Sequence, residues 1–167
     1  MRSFLPVKSI VASRGSKASE CLERAWRRIR QLEPCLPPVI VVILASRRRQ
    51  KQGHFSGCAW RTTGVEGGHE VAINPALFDR PEDLLATLLH EAAHALLFEW
   101  GLNGGCGSDG YYHREEFRNV CRKLGLECEF SNRRYGWNLA RWPAAGVPTK
   151  YRNVLGLLRR ELPWGLR

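Results

Sequence analysis

No apolar run in the sequence is long enough to cross a bilayer: the longest, Val39–Ala45, spans seven residues where about 20 are needed. No membrane partner is expected. Cys-x-x-Cys is also missing, because Cys21, Cys35, Cys58, Cys106, Cys121 and Cys128 stand far apart, so neither a zinc ribbon nor a thioredoxin-like redox pair is indicated. Internal repeats are lacking. No acid stands between Met1 and Lys17, while Arg2, Lys8, Arg14 and Lys17 do, and Pro6 and Lys8 interrupt what a secretory signal would need as its apolar stretch. Residues 1–19 therefore read as a flexible basic leader and residues 20–165 as a single domain, with a cytoplasmic setting and reduced, mostly buried thiols expected. At 44% hydrophobic and 25% charged residues, the 167-residue chain has the composition of a folded globular domain.

The charge that is present is unevenly spread. The formal net charge is +10, with four basic against one acidic side chain in residues 1–20, eight against two in 21–52, and eight against one in 133–167. Residues 53–132 reverse the balance, with six basic against twelve acidic. Lys and Arg that neutralise phosphates release counterions and give sequence-independent affinity, so the flanks point to DNA as a partner. Arg47, Arg48, Arg49 and Lys51 form the densest patch, in a loop or hairpin tip between two apolar segments. An ordinary exposed turn is the plainer reading of the same four residues.

Periodicity places the elements. Leu22, Ala25, Trp26, Ile29 and Leu32 recur at helical spacing within Cys21–Leu32, and Pro34, Pro37 and Pro38 stop that helix. Val39–Ala45 is continuous and β-branched, as in a strand buried on both faces. Gly53–Arg61 and His69–Asn74 read as further strands, with Gly64, Gly67 and Gly68 marking a loop between them. The strongest helical signal runs from Pro81 to Trp100, with Asp79 placed as N-cap and Gly101 as its stop. Leu85, Leu88, Leu89, Ala92, Ala95 and Leu96 cover much of its circumference, which makes it central. A glycine-rich loop, Asn103–Gly110, follows, then helices at His113–Leu124 and Tyr151–Leu162. This order implies an α+β domain with a small sheet on one side of the long helix.

Within the long helix lies His90-Glu91-Ala92-Ala93-His94. Residues four apart project from one helix face, so His90 and His94 can grip one metal ion, with Glu91 beside them reaching a metal-activated water. A pair of satisfied helix histidines is the plain alternative, but an unpartnered carboxylate in so apolar a helix is costly to bury, and a metal supplies the missing partner. A catalytic zinc needs a third protein ligand. Leu97 and Trp100 occupy the positions at which the metzincin pattern requires Gly and His, and Phe98 stands where a compact His-x-x-x-His variant requires His. Cys106, Asp109, His113, Glu115 and Glu116 remain; His113 is chosen because zinc favours imidazole, with Glu116, the gluzincin solution, as runner-up. His54 and His69 fall on expected strands and read as structural or substrate-facing.

The stretches LLATLLHEAAHALLFEWGL and GYYHREEFRNVCRKLGLE resemble the SprT-like zinc metallopeptidases, the family of the Spartan-type proteases of DNA–protein crosslink repair. The likeness extends more weakly to GHFSGCAWR, HEVAIN and Tyr135-Gly136-Trp137. The resemblance implies a zincin-like, minigluzincin-type core, zinc held by His90, His94 and His113, and Glu91 as catalytic acid–base. The implied reaction is hydrolysis of peptide bonds in a protein or peptide substrate, on nucleic-acid-associated proteins where the basic flanks bring them. Tyr112, Tyr111 and His54 are the candidates for oxyanion or substrate contact, and a substrate strand is expected to pair along His69–Asn74. Two alternatives compete with this reading: a catalytically inactive, zinc-stabilised nucleic-acid-binding module, and a hydrolase of non-peptide amides.

Overall fold

The computed structural model describes residues 7–44, 52–62, 65–102 and 112–162. Helix α1 covers Val7–Leu32, followed by strands β1 (Val39–Ile43), β2 (Gly53–Thr62) and β3 (Val65–Ile73), a 3₁₀ turn at Pro75–Leu77, and helix α2 (Pro81–Glu99). Helix α3 (Glu115–Lys123), the hairpin β4 (Glu127–Asn132) and β5 (Gly136–Arg141), and helix α4 (Arg152–Glu161) follow among the described residues. The fold is mixed α+β, with a three-stranded and a two-stranded sheet.

The first helix is longer than its apolar period foretold. It runs back through residues 7–19, read from sequence as a leader, because nothing between Lys17 and Cys21 breaks it, and Ala18 is fully buried. Ala18, Cys21, Leu22, Ala25, Trp26 and Ile29 form the buried stripe, and the Trp26 indole donates to Pro37 O at 3.1 Å, fixing the turn into β1. Leu32 falls outside the stripe and is 40% exposed.

In the larger sheet β3 is central, parallel to β1 and antiparallel to β2. This corrects two expectations. Among the described strands β1 is an edge strand, with Val41 buried and Ile40 exposed, so its apolar run is buried on one face only. Gly67 and Gly68 belong to β3, where Gly68 pairs with Trp60, and only Gly64 of the expected loop lies outside the described residues.

Helix α2 begins one residue later than its expected cap. Arg80, at φ −127° and ψ 71°, takes the N-cap position ahead of Pro81, which disfavours helical geometry in the residue before it. Asp79 and Asp83 instead pair with the Arg80 guanidinium. Leu84, Leu85, Leu88, Leu89, Ala92, Ala93 and Ala95 are all fully buried, so the helix is enclosed, as its nearly continuous apolar circumference requires. It packs against β2, α3 and α4, and α4 packs against α1. No described helix is long and apolar enough to cross a membrane. Among the described residues Cys21, Cys35, Cys58, Cys121 and Cys128 are free thiols; Cys35 and Cys58 are exposed, the others buried.

Candidate metal centre

The spacing of His90 and His94 sets both imidazoles on one face of α2, with ring centroids 5.0 Å apart. His113 reaches them from a segment that precedes α3. Its backbone N–H donates to Tyr135 O at 3.0 Å, and its carbonyl accepts from Trp137 N–H at 3.1 Å, an isolated parallel bridge to Gly136. The β4–β5 hairpin therefore holds this residue from both sides. Gly136 makes the approach possible: its φ is +64°, and a Cβ there would fall well inside 3.0 Å of the His113 carbonyl oxygen. Helix α3 starts at Glu115, two residues after the expected His113, because His113 spends its backbone groups on the hairpin.

The three rings converge through Nε2. His94 Nε2 lies 3.3 Å from His90 Nε2 and 3.1 Å from His113 Nε2, and the candidate ligand atoms of all three lie within 4.8 Å of one another. A neutral imidazole Nε2 carries one proton or one lone pair, so His94 Nε2 can serve only one of these two neighbours as a hydrogen-bond partner. A cation among the three lone pairs satisfies all of them. Around a tetrahedral ion with metal–nitrogen bonds of about 2.0–2.1 Å, two nitrogens stand about 3.3–3.4 Å apart, close to the observed separations. The donor set thus fits a metal ion.

Phe117 forms the floor under this cluster. Its fully buried ring lies 4.8, 4.4 and 4.3 Å from the rings of His90, His94 and His113. One α3 side chain thereby fixes the orientation of all three imidazoles. Sequence reading did not single it out; its spacing four residues after His113 was the available signal. The same burial acts on protonation. Desolvation, with the neighbouring His94 and His113 adding to it, pushes the His90 pKa well below its ordinary 6.5. Burial also lowers that of His113, against a smaller upward effect of the Tyr135 backbone. Both rings are held in the neutral form that ligates metal.

Glu91 is 4% exposed and lies where α2 meets β2. Gly53 of β2 faces it so closely that a Cβ on Gly53 would stand 3.1 Å from Glu91 Oε1 and 3.0 Å from both Thr87 Cγ2 and Ala72 O. Gly57 is likewise pressed on the Phe98 ring, and Phe55 lies edge-on to that ring at 5.7 Å. Gly53, Phe55 and Gly57 therefore face α2. Strand alternation sends His54 to the opposite face of the sheet. His69 faces the C-terminal end of α2: its Nε2 meets Glu99 at 3.1 Å, and its Nδ1 accepts from Cys58 N–H at 3.2 Å. Tyr112 is half-buried and immediately precedes His113, and its ring edge borders Gly136. Glu116, the runner-up ligand, is exposed and is not part of the three-histidine cluster. Tyr111, Cys106, Asp109 and the basic patch Arg47, Arg48, Arg49 and Lys51 lie outside the described residues.

The expected pairing of substrate along His69–Asn74 is also overturned, since β3 already has β1 and β2 on its two edges. The outer edge of β2 remains open among the described strands.

Family comparison agrees with this geometry. Residues 19–135 match the SprT-like family, a stretch that contains all three histidines, Glu91 and Phe117. The chain belongs to the SprT-like family. No curated protein and no solved structure matches it. As an SprT-like chain, it brings together three histidines that can hold a metal ion.

Proposed function

We propose that this SprT-like chain is a zinc-dependent metalloendopeptidase with a zincin-like core, in which His90, His94 and His113 hold the ion and Glu91 is the acid–base. The observation that carries the reading is the convergence of three buried-to-half-buried Nε2 atoms on one side of α2, with a buried carboxylate on the adjoining position of that helix. Zinc is favoured over other divalent ions because an all-imidazole set of three matches the open catalytic sites of that metal. Bound there, it would supply a Lewis acid for the scissile carbonyl and a source of nucleophilic water.

The chain's own groups carry the proton transfers. Glu91 accepts the proton of the attacking water and returns it to the departing amine, a role suited to a carboxylate shielded between α2 and Gly53. Phe117 excludes water from beneath the imidazoles and prevents their rotation. Tyr112, the neighbour of His113 in the chain, is the residue assigned to donate to the developing oxyanion. An extended peptide is read through its backbone along the outer edge of β2, where the two glycines bring the strand close to α2. Backbone pairing makes specificity broad. Proteins attached to nucleic acid are the substrate class that the basic flanks would favour.

Removing the metal tests this reading. Hydrolysis of an unfolded protein such as casein is expected to cease on chelation and to return on adding back one equivalent of zinc; activity that survives complete metal removal contradicts it.

A further inference from the structure

The basic flanks, more than a hundred residues apart in sequence, meet in space. Helix α1 packs on α4, and between them lies a cleft of about 350 Å³ lined by Arg28, Gln31, Lys150, Arg152, Asn153 and Arg160, with no acidic side chain among its lining residues. Of the lining cations Lys150 is neutralised, 2.5 Å from Glu33, and Arg24 next to the cleft pairs with Glu161. Among the described residues Arg28, Arg152 and Arg160 have no carboxylate partner, and Arg28 only donates to Asn153 O at 3.4 Å. Three uncompensated guanidiniums in one concavity repel one another, and an anion relieves that repulsion.

We propose that the α1/α4 cleft binds the phosphate backbone of a nucleic acid. The spacing favours a chain of phosphates over a single one. Arg152 and Arg160 are eight residues apart on α4, about 12 Å along the helix, whereas successive phosphates of one strand advance about 3.4 Å along a duplex axis. Arginine forks match phosphate oxygens, and Gln31 and Asn153 add neutral donors for sugar and phosphate. Gly156 completes the cleft. It stands inside α4, where glycine costs a helix about 1 kcal/mol relative to alanine, and a Cβ there would meet nothing nearer than Arg160 Nη1 at 3.5 Å. The missing side chain leaves the floor open for a backbone to approach. The family match ends at residue 135, so the α4 wall of the cleft lies outside it.

This inference deepens the nucleic-acid part of the reading above but uses no residue of the metal centre, and the test reads binding alone. Binding of a short labelled oligonucleotide to the full chain is measured across a salt series. The Arg152→Gln/Arg160→Gln double variant is expected to bind at least about 10-fold more weakly at physiological salt, and to lower the slope of log affinity against log salt by about 2. Gly156→Leu leaves every charge in place and is compatible with a helix, yet fills the floor; it is expected to weaken binding about 10-fold. Native-like affinity in either variant overturns the proposal. So does full displacement of the oligonucleotide by inorganic phosphate at matched ionic strength, which marks a small-anion pocket. An acidic polypeptide of equal charge binding as tightly as the oligonucleotide would overturn the nucleic-acid assignment as well.

Discussion

Replacing Glu91 by glutamine is expected to lower peptide hydrolysis by about 10²- to 10⁴-fold, the usual contribution of a positioned acid–base group, while one metal ion per chain remains bound. The two outcomes are separable because Glu91 is not one of the three converging residues. Glutamine keeps the shape that fits against Gly53 and loses only the capacity to take up a proton. If the metal served folding alone, this change would leave any activity untouched. Loss of both activity and metal would instead place Glu91 among the ligands. Turnover of casein together with metal content, measured on the same preparation, distinguishes these results.

Gly136→Ala is expected to weaken metal affinity by about 10- to 100-fold, the range found when groups that orient ligands are altered. The added methyl cannot coexist with the His113 carbonyl, so the bridge from Tyr135 and Trp137 to His113 must open and the third imidazole must move. Gly146 provides the control. Its φ of +76° is equally left-handed, but a Cβ there meets nothing within 4 Å. Gly146→Ala should therefore show only the backbone cost, about 1–2 kcal/mol of stability, with metal affinity unchanged. Equal effects of the two substitutions on metal binding would show that the hairpin does not position His113.

The contrast between these glycines marks where the sequence was legible. Helix α2 and its histidines could be read directly, because helical period and ligand spacing are local in the chain. His113 could be chosen by ligand chemistry, but what holds it could not. β4 has the sequence ECEFSN, in which Cys128 and Phe130 alternate with polar residues over only five positions, and Phe130 is half exposed, so the strand signal is short and buries little. Its partner, with Arg133 and Arg134 at the turn, reads as a continuation of the basic flank. Pairing partners also decided the errors in the larger sheet. An apolar run such as Val39–Ala45 looks the same at an edge as in the middle, and only the observed order β1-β3-β2 shows that β3 has no free edge for a substrate. Alternation along β2 was visible, but which of its two faces met α2 was not, and that choice separated Gly53 from His54. The charge asymmetry was legible as composition; that α1 and α4 gather its two ends into one cleft was a matter of long-range packing.

Metal analysis of the purified chain beside its His113→Ala variant tests the central claim most directly. One zinc per native chain and near-zero zinc in the variant is the expected result. A native chain that binds no zinc, or a variant that retains a full equivalent, would contradict the assignment of His90, His94 and His113 as a single metal site.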